Sequence, residues 1–242
     1  MWYTKYLLLT TMFFSDKIKK DSAKYKNRAS VESIVRFDKA LEKRVGSTLK
    51  SVLGAGNNGV AFTTNNDRVF KLTMDTREAV ASANILDKNL KNVVKIYDVF
   101  EIGEFVKPVY GIVQEKLDKL LPSEYLHVIN ELNDFWDDLL NSKSKLLVAP
   151  VDKVLEEFLK KHQITLGDEA KKDIMQQIVS GLLQLHKVGV DYKDVYANNV
   201  GLSGSTVKIF DLGLSDAPET TIPSLKERTL EASFKNWVVL KG

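Results

Sequence analysis

The chain has 242 residues, 44% of them hydrophobic and 28% charged, which is the balance of a folded domain or two small lobes and not of a disordered polymer. It contains no cysteine and three histidines, His127, His162 and His186. Disulfides, thiolate catalysis and cysteine-held metals are excluded, and acid–base chemistry is left to Asp, Glu, Lys and Asn.

Net charge is +3, but residues 1–50 hold 12 Lys or Arg against 5 Asp or Glu, while the remainder holds 23 against 27. Such a basic arm reads as a solvated lysine-rich helix; contact with nucleic acid, a membrane surface or an acidic partner is the other reading. The apolar run Tyr6–Phe14 is too short to span a bilayer, which takes ~20 residues. No small-residue cleavage site follows it. It is expected to be a short buried strand or helix of a soluble intracellular protein.

Residues 30–44 read as a helix, with Ser30 as N-cap, Ile34, Phe37 and Leu41 at 3–4 spacing, and Gly46 as the stop. The period then changes. Leu49–Leu53, Val60–Thr64 and Val69–Leu72 look like strands separated by the turn-rich GAGNNG and NNDR. Thr76–Leu90 is predicted as a helix capped by Thr76, and Val93–Phe100 and Val109–Leu117 as strands. The second half is mainly helical: His127–Leu140, Val151–Lys161, and Asp168–Lys187 with Asp168 as N-cap. Short strand-like pieces follow at Val200–Leu202 and Val207–Phe210, then a polar stretch and an amphipathic one, Leu225–Leu240. A strand-rich lobe and a helical lobe, joined near Leu117–Leu121, suggest a cleft between them.

Gly54, Gly56 and Gly59 form G-x-G-x-x-G. In dinucleotide-binding folds this pattern leads from a strand into a helix. Here it leads into another strand-like run, so a hairpin laying backbone N–H groups over phosphates fits better, beside the plainer reading of a Gly/Asn turn. Lys71 interrupts the apolar V-F-K-L. An inward lysine needs a carboxylate or a phosphate, and Glu78 is available; an edge lysine facing water is the alternative. Further on, Asp194 and Asn199 stand five apart, and Asp211 follows an apolar strand just before Gly213. Hard oxygen ligands at Asn199 and Asp211 suit Mg²⁺. Asp194 would be left to accept a proton. Any one of these is plausibly a surface loop residue, but the ordered set is not.

In that order these residues resemble the protein-kinase-like superfamily. The resemblance implies an α+β, bilobal fold: a basic helical extension over 1–46, a small antiparallel-sheet N-lobe over 47–117 and a reduced, mainly helical C-lobe over 118–242. It matches Gly54, Gly56 and Gly59 to the glycine-rich loop, Lys71 to the phosphate-holding lysine and Glu78 to its helix partner, with Asp75 a rival. The backbone of Glu115 and Leu117 would hold adenine, with Gln114 as gatekeeper. Tyr192-Lys193-Asp194 with Asn199 is similar to H-R-D-x-x-x-x-N, and Asp211-Leu212-Gly213 to D-F-G. Tyr192, Lys193 and Leu212 depart from the usual His, Arg and Phe. The stretch after Gly213 is far shorter than a normal activation segment and its following helices, and the Ala217-Pro218-Glu219 triplet comes too soon to be its end. This compactness looks like small bacteriophage-type or bacterial kinase-like proteins.

The implied activity is ATP- and Mg²⁺-dependent phosphoryl transfer to a Ser or Thr hydroxyl of a protein. Asp194 would align the acceptor, Lys71 and Lys193 would stabilise phosphate charge, and Asn199 and Asp211 would hold the metal. The implied setting is the cytoplasm, of a host if the source is viral, without membrane attachment; the basic arm leaves nucleic acid open. Two alternatives stand beside it. One is a small-molecule kinase like the aminoglycoside phosphotransferases, with Asp134, Asp137 and Asp138 as an acidic acceptor pocket. The other is a nucleotide-binding pseudokinase acting as an interaction module.

Overall fold

The computed structural model describes residues 42–55, 59–104 and 108–225. The apolar run at 6–14, most of the helix expected at 30–44, Gly56 and the stretch at 225–240 past its first residue lie outside the described residues. The protein is mixed helix and sheet, with ten strands, β1–β10, and four α-helices, α1–α4, among the described residues. Backbone contacts divide it into two compact units. Described residues up to 74, with 100–114 and 223–225, form one; 75–99 and 115–222 form the other.

The first unit is built on a five-stranded sheet, ordered β1-β2-β3-β5-β4, whose members are β1 (Leu49–Ala55), β2 (Gly59–Thr64), β3 (Arg68–Thr73), β4 (Ile96–Glu104) and β5 (Pro108–Glu115). The ends of β4 and β5 count with the second unit. The helical turn at 42–45 stops at Gly46, whose φ of +68° is a conformation open to glycine, as the sequence predicts. β1 and β2 pair antiparallel on either side of residues 56–58, so the glycine pattern joins strand to strand. A Cβ on Gly59 would lie 2.3 Å from the Leu72 carbonyl oxygen, which only glycine permits. Across the sheet Phe62, Phe70 and Phe100 stack, with centroids 6.5 Å and 6.2 Å apart. Gly111 makes room for them, since its Cβ would sit 2.8 Å from Phe100 and 2.9 Å from Phe70.

The second unit holds α1 (Thr76–Ile85), α2 (Leu126–Asn141), α3 (Val151–His162) and α4 (Glu169–Lys187). α2 buries Ile129, Leu132, Phe135 and Trp136; α3 buries Val154, Leu155 and Phe158; α4 buries Met175, Ile178, Leu182 and Leu185. Burial of these apolar faces is the main force assembling the unit. Asp168 caps α4, its Oδ1 accepting from Lys171 N–H at 2.7 Å.

α1 departs from expectation at both ends. Asp75, not Thr76, is the N-cap, accepting from Arg77 N–H at 3.0 Å. The helix ends at Ile85, because the polar Asp87-Lys88-Asn89 run offers no apolar face to bury and Asp87 turns left-handed at φ +62°. Nor does a strand start at Val93. Val93 makes one parallel bridge to Ile209, and β4 begins at Ile96.

Two small sheets complete this unit. One is ordered β6-β8-β9, from β6 (Lys119–Leu120), β8 (Val200–Ser203) and β9 (Thr206–Ile209). The other pairs β7 (Asp191–Tyr192) with β10 (Ser215–Asp216). Buried Asn92 ties the first of them to α4. Its Nδ2 donates to Val207 O at 3.0 Å and Gln177 Oε1 at 3.2 Å, and its carbonyl accepts from Ile209 N–H at 3.0 Å. Among the described residues no helix is long and apolar enough to cross a membrane.

Gly181 of α4 lies against this network: a Cβ there would stand 2.6 Å from Asn92 O and 2.9 Å from Ile209 Cδ1. Helix propensity alone would make Gly181→Ala stabilising by up to ~1 kcal/mol. The close approach reverses the sign, and overpacking of this kind costs about 1–3 kcal/mol. Chemical denaturation of the G181A variant is expected to show a net loss of stability; a gain would mean that α4 does not approach Asn92 this closely.

Candidate active site

A hairpin sets the site. β8 and β9 pair antiparallel with Val200 opposite Ile209, and the two-residue turn Gly204–Ser205 closes the far end, with Gly204 at φ +60°. Asn199 precedes β8 and Phe210 follows β9, so the open end of the hairpin brings them together: Phe210 N–H donates to Asn199 O at 2.9 Å. Asp211 comes next at φ +58°. Aspartate tolerates this left-handed region better than most residues, though at a local cost of the kind that collects at functional positions.

The loop before the hairpin carries Asp194. Asn199 Nδ2 donates to Asp194 Oδ2 at 2.8 Å and to Asp194 O at 3.0 Å. Tyr192, fully buried, donates its hydroxyl to the same carbonyl at 2.6 Å. Helix α2 grips the loop from beneath, with Asn133 Oδ1 accepting from Val195 N–H at 2.9 Å and Trp136 Nε1–H donating to Tyr192 O at 3.1 Å. The sequence reading passed over Asn133, Trp136 and the Tyr192 hydroxyl. The available signal was Asn133, a polar side chain set beside Leu132 on the apolar stripe of α2.

Burial raises the Asp194 carboxyl above the ordinary aspartate value. The hydrogen bond from Asn199 opposes that rise, and the negative charge of Asp211 adds to it. Burial also holds the Tyr192 phenol far above its usual range, reinforced by the Asp194 charge. Tyr192 is therefore a neutral donor at any physiological pH. The arrangement leaves Asp194 as a carboxylate of increased proton affinity, held at one oxygen by an amide.

Asn199 and Asp211 offer hard oxygen donors. With its amide nitrogen turned to Asp194, Asn199 presents Oδ1 as an acceptor. Among the described residues no three His, Cys, Asp or Glu converge as a metal cage. A carboxylate and an amide oxygen fit a Mg²⁺-type cation that draws its other ligands from phosphate and water.

The remaining predicted residues fall as follows. Lys193 Nζ is ion-paired with Asp216 Oδ2. Of the three aspartates read as an acidic pocket, Asp138 is exposed and pairs with Lys161 at 2.7 Å. Asp137 has its carboxyl raised, first by burial and then by the charges of Asp134 and Asp138, with Lys193 opposing. Glu78 is buried in the first turn of α1. At the end of β5, Glu115 N–H donates to Lys95 O at 2.9 Å. Burial would raise the Glu115 carboxyl, but bonds from Lys208 Nζ at 2.6 Å, Lys95 N–H at 3.1 Å and Ser203 Oγ at 2.9 Å outweigh it and hold it below the usual value. The Leu117 side chain covers Gly201. In the first unit, Lys71 lies half-buried on β3 opposite Ala61, and Gly54 pairs with Ala61 and Gly59 with Thr73.

No family model matches the chain. It is similar to a probable serine/threonine-protein kinase of Encephalitozoon cuniculi (strain GB-M1), 27% identical over 109 residues, which are 43% of this chain and 19% of that protein. The matched stretch thus spans about a fifth of the relative's length.

Burial and the Asp211 charge make ionised Asp194 costly in the fold. The folded protein therefore binds this proton more tightly than the unfolded chain does. The group's contribution to stability falls as pH rises through its folded pKa, and the full cost is present at neutral pH. Asp194→Asn keeps an acceptor for Asn199 and removes the charge. Thermal unfolding of the metal-free protein is expected to show a higher Tm for D194N at pH 7 and no gain near pH ~3.5, where both states are protonated. An equal difference at the two pH values would contradict the assignment.

Proposed function

We propose that the chain is an ATP- and Mg²⁺-dependent phosphotransferase with a bilobal kinase-like fold, acting on the hydroxyl of a serine or threonine in a protein. The observation that carries the reading is the convergence of Asp194, Asn199 and Asp211 at one end of a hairpin, with a proton acceptor bonded to an amide and a second carboxylate beside it. The name of the Encephalitozoon cuniculi relative agrees with it.

In this reading the acceptor hydroxyl oxygen attacks the γ-phosphorus, the bond from that phosphorus to the β,γ-bridging oxygen breaks, and ADP leaves. Asp194 orients the hydroxyl and takes its proton, a role its raised proton affinity favours. Asn199 and Asp211 would hold Mg²⁺, which when bound neutralises phosphate charge. Lys71 and the hairpin of Gly54, Gly56 and Gly59 bind the phosphates. In this reading Glu78 orients Lys71, with Asp75 as the rival partner. The Glu115 N–H is committed to Lys95, so the Glu115 carbonyl and the Leu117 backbone are the groups proposed for adenine. Lys193 adds positive charge beside Asp194. Transfer of this type depends on positioning and charge, so it works without histidine or cysteine.

A small-molecule acceptor is the second reading, and Asp137 favours it, because its buried Oδ1 has no hydrogen-bond partner among the described residues. The test is transfer of γ-labelled phosphate from ATP with cell lysate as acceptor source, beside calorimetry of nucleotide binding. Wild type is expected to label Ser or Thr of a protein, and label confined to the low-mass fraction would select the small-molecule reading. Asp194→Asn is expected to keep Mg·ATP binding and lose about 10²–10⁴-fold in rate. Lys71→Met and Asp211→Asn are expected to lose transfer to any acceptor, Asp211→Asn with its Mg²⁺ dependence. A wild-type protein that binds no nucleotide with or without Mg²⁺ would overturn the proposal.

A further inference from the structure

The chain that leaves β5 is fastened to the β8–β9 hairpin at several points. Along β9 Val207 and Ile209 are buried, which turns Lys208 to the other face, and its Nζ donates to Glu115 Oε2 at 2.6 Å. Ser203 Oγ of β8 donates to Glu115 Oε1 at 2.9 Å, so one carboxylate straddles both strands of the hairpin. Lys95 N–H, just before β4, donates to Glu115 Oε2 at 3.1 Å. Further along, Asp118 N–H donates to Leu202 O at 2.8 Å, and Asp118 Oδ2 accepts from Gly204 N–H in the turn at 2.7 Å. The side chains of Lys208 and Glu115 are only 15% and 18% exposed. An ion pair so withdrawn from water depends on such further donors, and loss of either partner is costly.

From these contacts we infer that Lys208 is a positioning residue: through the Glu115 side chain it sets the spacing between the backbone proposed for adenine, at Glu115 and Leu117, and the end of the hairpin proposed for the metal, at Asn199 and Asp211. The inference rests on the phosphotransferase reading and deepens it. All five residues belong to the second unit, so this spacing is internal to it. The hairpin register carries it. Lys208 lies opposite Gly201, which comes two residues after Asn199, and Lys208 itself stands three residues before Asp211. A nucleotide held at both ends gains over its separate halves only while the two sets of contacts match its length, because the second contact is then intramolecular. Removing the tie should therefore be felt by the whole nucleotide and hardly by either half.

Lys208 supplies none of the proposed nucleotide contacts, which makes it the residue to change. The full chain and its K208M and K208R variants are titrated by NMR with Mg·ATP, with adenosine and with Mg·tripolyphosphate. Lys208→Met is expected to weaken Mg·ATP about tenfold, while adenosine and Mg·tripolyphosphate stay within about twofold of wild type. A merely structural role would weaken all three together. Lys208→Arg, which keeps the charge and a donor for Glu115, is expected to restore most of the loss. If Lys208→Met does not fold, a double variant with Glu115→Gln takes its place. It removes both charges, keeps an acceptor oxygen for Ser203 Oγ and Lys95 N–H, and is expected to show the same pattern. Mg·ATP binding that is unchanged or tighter in the folded variant, or halves weakened as much as Mg·ATP, overturns the positioning role and leaves the phosphotransferase reading standing. A wild-type chain that binds no Mg·ATP overturns that reading, and this inference falls with it.

Discussion

The two hydrogen bonds from the Asn199 amide to Asp194, one to the carboxylate and one to the carbonyl, are the interaction on which the site depends. They answer two demands at once. A partly buried carboxylate beside a second carboxylate needs a donor to remain ionised, and a loop with no regular structure of its own needs a fixed backbone. A single amide meets both, so the charge and its position are set by the same contact. Without it, the burial that gives Asp194 its increased proton affinity would leave an unanswered polar group.

That contact in turn depends on scaffolding with no chemistry of its own. The Gly204–Ser205 turn fixes the register of β8 and β9, and the register decides that Asn199 and Phe210, not their neighbours, meet at the open end. Asn92 holds the hairpin to α4, while Asn133 and Trp136 hold the preceding loop to α2. Each of these polar groups is buried and bonded, the condition under which a polar network adds rigidity and not a desolvation cost. Two helices with apolar stripes thus supply a platform, and a few polar side chains on them aim the loop.

Much of this was legible before the structure. The strands β1, β2 and β3 show as short apolar runs between glycine- and asparagine-rich turns, and α2, α3 and α4 as long stretches with one apolar face, because burial of that face selects its residues. Asp194, Asn199 and Asp211 were legible because one hairpin fixes their order and spacing locally. What was not legible is set by tertiary contact. β7 and β10 are two residues each, too short to carry a period, and they pair across more than twenty residues of chain. Thr76 and Asp75 are both good cap residues one position apart, and side-chain reach to Arg77 N–H decided between them. The Asn92 network joins one loop residue to α4 and β9, a juxtaposition that spacing does not encode.

The central claim is that Asn199 and Asp211 are the metal-side ligands of a nucleotide site whose proton acceptor is Asp194. Titrating Mn²⁺ into the protein with a non-hydrolysable ATP analogue, read by paramagnetic broadening of assigned amide signals, tests it most directly. The account predicts early, selective broadening of the Asn199 side-chain amide and of the Asp211–Gly213 backbone, reversed by excess Mg²⁺. Broadening centred elsewhere, or none at either residue, would contradict it.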